Sequence, residues 1–122
     1  MNWTLDKSRP ICPQICEIIC VAIASGEILA EEKLLSVREI ALLAGVNPNT
    51  VQKSFEELER RGVIHSVRCS GWYVNDNTDA ADNEVRCLRI KKTEEYLAAM
   101  AQLGCDSDET VKYFNAYQGG NQ

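Results

Sequence analysis

The stretch NPNTVQK crowds four hydrogen-bonding side chains and a cation into two helical turns: Asn47, Asn49, Thr50, Gln52 and Lys53. A side-chain amide presents a donor beside an acceptor, which matches the edge of adenine, and Gln52 suits that role. A lysine supplies a point charge for a phosphate. Arg38, upstream, adds a second cation. This is the chemistry of reading a nucleic acid. The six cysteines, Cys12, Cys16, Cys20, Cys69, Cys87 and Cys105, pose a different question. The first three are spaced i, i+4, i+8 and lie along one stripe of a helix. No C-x-x-C pair occurs, and zinc normally takes four Cys or His ligands, whereas His65 is the single histidine. The expectation is therefore no metal site, with cysteine acting as a small apolar residue beside an isoleucine stripe. Catalysis finds no motif: there is no glycine-rich phosphate loop, no Cys/His nucleophile arrangement and no carboxylate cluster. The sequence predicts neither an enzyme nor a cofactor.

The elements that must position the polar run can be read around it. Ser36 can cap a short helix, with Glu39 three residues on completing a capping box. Ile40 and Leu43 are expected on its inner face. Gly45 suits a left-handed C-terminal cap, after which Val46 can pack back. Asn47 is an N-cap candidate for a second helix, and Pro48 occupies its first position, where no donor is needed. Val51, Phe55 and Leu58 recur at i, i+4, i+7 and should face inward. That leaves Asn49, Thr50, Gln52 and Lys53 near the exposed N-terminal end, as in a helix-turn-helix. Upstream, Ile11, Ile15, Ile18, Ala22 and Ile23 predict an amphipathic helix over 10–25, and Leu34-Leu35 a very short strand. Downstream, Gly62 stops the helix. Val63–Val67 and Trp72–Val74 then read as a hairpin around Arg68-Cys69-Ser70-Gly71. The order helix, strand, helix, helix, strand, strand is that of a winged helix.

Residues 80–103 read as a long helix with Val85, Leu88, Tyr96, Leu97, Met100 and Leu103 roughly on one side. Asp106 or Ser107 can cap a last helix carrying Val111, Phe114 and Tyr117, and Gln118 to Gln122 should be frayed. Two such helices cannot enclose a core or a ligand pocket alone, so a partner subunit is the expected cover. The fold class predicted is mainly α with a small β-hairpin wing. It comprises a winged helix-turn-helix DNA-binding domain over 1–75 and a two-helix dimerisation segment over 76–122. Net charge is −5 over 122 residues. Residues 1–75 hold eight Lys/Arg against nine Asp/Glu, and 76–122 hold five against nine. DNA binding must then rest on local clustering of Lys33, Arg38, Lys53 and Arg68 and on dimerisation. No apolar run approaches the ~20 residues that span a bilayer, and MNWTLDKSRP has no signal-peptide core, so a cytoplasmic protein is expected.

The stretches SRPICPQI, AIASGEI, LSVREIALLAGVNPNTVQKSFEELERRGVI and GWYV resemble the DNA-binding domain of the GntR family of bacterial transcription regulators. The short tail looks like the YtrA-type subfamily, which lacks a large effector domain and works as a homodimer. The resemblance implies that Arg38 contacts phosphate and groove. It places Asn47, Asn49, Thr50 and Lys53 on recognition-helix positions, and Arg68, Ser70 and Gly71 on a wing that dips toward the minor groove. Ser36 can offer its amide to a phosphate. It also implies that Cys20 is the most exposed thiol of its stripe, and that the protein represses its own operon, often one encoding a membrane transporter. The sequence departs from the family at Ala30-Glu31-Glu32, at Leu35 and at Cys69-Ser70. These changes weaken phosphate attraction and shift recognition toward Arg38 and the second helix.

The expected function is a homodimeric, sequence-specific DNA-binding regulator on an inverted-repeat operator. Its dimer interface would be built from Val85, Leu88, Tyr96, Met100, Leu103, Val111, Phe114 and Tyr117. The partners are double-stranded DNA and a second copy, with no membrane. Two alternatives stay open: a winged-helix protein-interaction module without strong DNA binding, and a metal- or redox-responsive sensor using the cysteines.

Overall fold

The computed structural model describes residues 1–120. Two compact units are present, Met1–Val85 and the stretch from Arg86 onward. In the first, Pro10 sets up α1 (Ile11–Ala24). The Gln14 amide fastens the entry by donating to the Asp6 and Pro10 carbonyls, both at 2.9 Å. Its oxygen accepts from the Asp6 amide at 2.8 Å. The buried face of α1 is Ile15, Cys16, Ile19, Cys20, Ala22 and Ile23. This corrects two expectations. Ile19, not Ile18, lies at the centre of the face, and Cys20 is 1% exposed. The cysteines behave as apolar residues and widen the stripe that packs on the helices beyond.

α2 (Val37–Ala44) and α3 (Pro48–Arg60) follow. α2 buries Ile40, Ala41 and Ala44, while Leu43 stays 60% exposed. At 3.6 residues per turn, small Ala41 and Ala44 centre the inner face and carry Leu43 off it. α3 buries Val51, Ser54, Phe55 and Leu58 completely. The Ser54 hydroxyl is satisfied by donating to the Thr50 carbonyl at 2.8 Å. Strand β1 (Ile64–Val67) pairs antiparallel with β2 (Gly71–Val74), with Ile64 opposite Val74 and Val67 opposite Gly71. Of the two wing aromatics, Trp72 meets the core, edge-on to Phe55 at 5.4 Å between ring centroids. The expected strand at Leu34-Leu35 is reduced to one bridge, Lys33 to Tyr73. Around it the Leu34 amide donates to the Trp72 carbonyl at 2.8 Å and the Val74 amide to the Glu32 carbonyl at 2.9 Å. Leu34 is buried and Leu35 exposed.

α4 (Asp79–Gln102) begins in the first unit, where Ala81 and Val85 enter the core. Val85, expected at a subunit interface, is thus buried within its own chain. In the second unit Asp106 caps α5 (Ser107–Gly120), accepting from the Glu109 amide at 2.9 Å. The Thr110 hydroxyl donates to the Asp106 carbonyl at 2.8 Å. Thr110 and Cys105 are the buried residues among those described in this unit. Helical backbone continues to Gly120, past Gln118 where fraying was expected to begin, and Asn121 and Gln122 lie outside the described residues. No described helix is long and apolar enough to cross a membrane.

Candidate nucleic-acid interface

α2, the turn after it and α3 form the element on which most of the predicted contacts lie. Its first end is closed by a full capping box. The Glu39 amide donates to the Ser36 hydroxyl at 3.1 Å, and the Ser36 amide donates to the Glu39 carboxylate at 3.0 Å. Those hydrogen bonds hold the Glu39 carboxyl below its usual range, the Ser36 amide contributing most and Lys33 adding its field. The Ser36 amide is therefore engaged within the helix cap, and its hydroxyl proton is what remains for an outside acceptor. Arg38, one turn in, is exposed.

The turn depends on Gly45, which sits at φ 66°. That left-handed conformation is easy for glycine and lets the chain reverse in one residue. Lys7 donates to the Gly45 carbonyl at 2.7 Å and neutralises the C-terminal end of α2. No local spacing encodes this long-range cap, since Lys7 and Gly45 are 38 residues apart. Asn47 then starts α3, its side-chain oxygen accepting from the Asn49 amide at 2.8 Å. Pro48 has no donor to offer, and the Thr50 amide donates to the Asn47 carbonyl at 3.0 Å. The first amides of α3 are thus satisfied internally. Contacts from this end must come from side chains, including the Asn47 amide hydrogens that capping leaves unused.

The four-residue spacing of Val51 and Phe55 anchors the opposite face, so Asn49 and Lys53 project outward and Thr50 and Gln52 stand half-buried at its edge. Arg38, Lys53 and Arg68 make no ion pair with any described residue. By contrast Arg60 and Arg61, at the far end of α3, are both paired to Glu57. Arg61 also reaches Glu84 at 3.4 Å. The Glu57 carboxyl is held at about 2, chiefly by its hydrogen bond from Arg60. The cations of α3 are divided by position: structural at its C-terminus, unpaired at its N-terminal half.

The wing turn reverses through Cys69 at φ 62° and Gly71 at φ 141°. A Cβ on Gly71 would come 3.0 Å from the Lys33 Cε. The positive φ is what favours glycine at this position, and the Lys33 side chain lies across β2 beside it. This brings Lys33 to the wing, a placement the acidic sequence before it does not announce. Arg68 and Ser70 are exposed, and the Ser70 hydroxyl is engaged with the Tyr73 hydroxyl. The structure thus gathers Ser36, Arg38, Asn47, Asn49, Thr50, Gln52 and Lys53 on one helix-turn-helix, and Arg68, Ser70 and Gly71 on the hairpin. The predicted interface residues Leu88, Tyr96, Met100, Leu103, Val111, Phe114 and Tyr117 fall on α4, its end and α5. Leu103 is 81% exposed and Phe114 50%.

Burial pushes the Cys16 and Cys20 thiols up to about 12, so both are protonated core groups. Among the described residues no three His, Cys, Asp or Glu side chains converge.

Comparison with known proteins agrees with this architecture. The family profile described as "Bacterial regulatory proteins, gntR family" matches residues 13–74. YhcF of Bacillus subtilis, an uncharacterised HTH-type transcriptional regulator, is 30% identical over 98% of this chain and 99% of its own. YtrA of Bacillus subtilis, an HTH-type transcriptional repressor, is 38% identical over 70% of this chain and 66% of its own. A GntR family transcriptional regulator from Listeria monocytogenes superposes with a TM-score of 0.81 at 32% identity, covering 91% of this chain and 97% of the other. The structure of AraR(DBD) in complex with operator ORX1 gives a TM-score of 0.53 at 30% identity, over 57% of this chain and 86% of that one. With its capped helix-turn-helix, its hairpin and these matches, the chain belongs to the GntR family of bacterial regulatory proteins and is a DNA-binding transcription regulator.

Proposed function

We propose that two copies of this chain bind an inverted-repeat operator and repress transcription from it. The observation that carries the reading is the division of α3. Its buried face is complete within the chain, while its N-terminal half offers Asn49, Thr50, Gln52 and an unpaired Lys53. α3 enters the major groove N-terminus first. Asn49, Thr50 and Gln52 reach base edges, and Lys53, Arg38, Asn47 and the Ser36 hydroxyl hold the flanking phosphates. Arg68 and Ser70 approach the minor groove on a wing shaped by Gly71. Residues 1–75 supply this reading head, and 76–122 supply the dimer. The exposed Tyr96, Val111 and Phe114 support a second copy as cover, and a two-fold pair sets the half-site spacing by the distance between its α3 helices. The operator-bound AraR(DBD) and the repressor designation of YtrA support the target and the sign of regulation.

A gel shift on the duplex upstream of the protein's own gene, against a random duplex at two salt concentrations, tests this. Specific retention is expected. Lys53→Ala should weaken binding to both duplexes alike and reduce the salt slope by about one. Asn49→Ala and Gln52→Ala should instead erode the preference between them. If all three variants act equally on both duplexes, α3 is not the reading helix.

A further inference from the structure

The turn between α2 and α3 is gripped from outside the helix-turn-helix. Gly45 is its left-handed residue and Asn47 the N-cap of α3, so a single peptide group, Gly45 to Val46, precedes the residue that starts α3. Both ends of that peptide are hydrogen-bonded. Its N–H donates to the Ala41 carbonyl at 3.1 Å, which is the ordinary bond of a helix end. Its C=O accepts from the Lys7 ammonium at 2.7 Å, a charge-assisted bond. Lys7 stands on a fixed base. Asp6 beside it exchanges two hydrogen bonds with Gln14 of α1, its amide donating at 2.8 Å and its carbonyl accepting at 2.9 Å. The Arg9 amide returns to the Asp6 carbonyl at 3.2 Å and the Ser8 amide donates to the Asp6 carboxylate at 3.0 Å. Upstream, Trp3 is buried in the core and Leu5 packs against it. The backbone around Lys7 is thus bound to α1, and its side chain ties α1 to the turn. Lys7 forms no ion pair with any described residue, so its charge is engaged by a carbonyl and not by a carboxylate.

We propose that Lys7 is a positioning residue for sequence recognition. By holding the Gly45 carbonyl it fixes the peptide plane that sets the direction in which α3 leaves the turn. This role rests on the reading of α3 as the recognition helix. Asn47, Asn49, Thr50 and Gln52 follow that peptide directly, so a change of its plane swings all four together. Hydrogen bonds to base edges weaken steeply with misalignment, whereas a charge near a phosphate tolerates displacement. Loosening the turn therefore costs preference for the right sequence more than affinity for any duplex. A lysine on a phosphate behaves differently: its loss weakens binding to every sequence and lowers the salt slope by about one. A lysine held on a carbonyl displaces no counterion from DNA, so its loss leaves that slope as it was. A lysine that only stabilised the fold would lower both affinities alike.

The test uses the full chain and a duplex that the wild-type chain selects from a random-sequence pool, with a scrambled duplex beside it. Affinities for both are measured across salt for Lys7→Met, Lys7→Arg and Asn49→Ala. Lys7→Met keeps the length of the side chain and removes the donor. It should lower the ratio of selected to scrambled binding by about fivefold, the worth of one hydrogen bond, at an unchanged salt slope. Lys7→Arg, which can donate to the same carbonyl, should restore the ratio. In the free protein, hydrogen exchange of the Val46 amide should quicken several-fold in Lys7→Met and recover in Lys7→Arg. An unchanged ratio in Lys7→Met, where Asn49→Ala loses preference, overturns the assignment of Lys7, as does an unchanged Val46 exchange rate. A salt slope reduced by about one makes Lys7 a phosphate contact and overturns it equally. If Asn49→Ala also keeps the preference, the reading of α3 fails first and the role of Lys7 falls with it.

Discussion

α3 and α5 are nearly the same length, 13 and 14 residues, and both carry apolar side chains at helical intervals. Their fates differ. α3 buries Val51, Ser54, Phe55 and Leu58 against its own chain. α5 buries Thr110, at the turn, and leaves Val111 55% and Phe114 50% exposed. With Lys92, Thr93 and Tyr96 of α4 these two line an apolar groove of about 420 Å³. The lesson is that periodicity states which face of a helix should leave water, not where its cover lies. For α3 the cover is α1, α2 and the hairpin. For α5 the described residues of its own unit leave that face uncovered, and the proposed dimer would supply the cover. The contrast also separates two energies: stability of the fold in the first unit, and association in the second.

Phe55→Ala should break this comparison most severely. Phe55 is fully buried beneath Trp72, so removing the ring leaves a cavity among α1, α3 and β2. A loss of about 3–5 kcal/mol is expected, read as a fall in the urea midpoint at constant slope. A loss below about 1 kcal/mol would mean that the first unit does not carry the stability assigned to it. Phe114→Asp should come next and act on the other energy. A charge in the groove should weaken self-association by about 2 kcal/mol or more, with sedimentation shifting toward the mass of one chain. Unfolding of the first unit should be unchanged. If the variant sediments as wild type, the exposed face of α5 is not the dimer contact.

Much of the first unit is legible because its local signals agree with its packing. Ser36 with Glu39, Gly45, Asn47 with Pro48, and Gly62 punctuate α2 and α3 where they were expected, since capping is chemistry between close neighbours. The faces were read less well. Leu43 was expected inside and lies out, because two alanines set a face that hydrophobicity alone assigns to leucine. Cys20 was expected out and lies in, because the family's preference for a polar residue there does not bind this chain. Val85 was assigned to a partner and packs on its own core. Trp3, buried at 8% exposure, and Lys7 on the Gly45 carbonyl were not anticipated at all. Their partners are far along the chain, and no local spacing encodes such contacts. The side chains of the proposed DNA contact were legible in type, but the internal satisfaction of the α3 amides was not.

Asn47→Ala sharpens the contrast at a smaller scale. It removes the acceptor of the Asn49 amide and should cost about 1 kcal/mol, measured as a lower urea midpoint. Asn47→Asp keeps that acceptor but deletes the amide donor and places a negative charge toward phosphate. It should retain stability within about half a kcal/mol yet lose operator affinity in the gel shift. If both substitutions change stability and affinity in parallel, Asn47 serves only as a cap.

The smallest effect concerns pH, and both its limbs arise in the first unit. Glu57 has its carboxyl depressed from 4.5 to about 2 by Arg60 and then Arg61. A depressed carboxyl contributes stability above its unfolded value and loses it as pH falls through the folded one. Its contribution should be complete above about pH 5 and fade between pH 4.5 and 2. The pair is solvent-facing, so the effect is small and screened by salt. Cys16 and Cys20 act with the opposite sign. Burial raises both thiols from 9.0 to about 12, so the unfolded chain ionises first and stability declines as pH rises above 9. Urea midpoints from pH 2 to 11 should therefore fall at both ends. Glu57→Gln should flatten the acid limb and leave the alkaline one, while Cys20→Ala should flatten part of the alkaline limb. An alkaline limb untouched by Cys20→Ala would mean that its thiol ionises freely, and the buried face of α1 would then have to be more open to water than its packing on α3 allows.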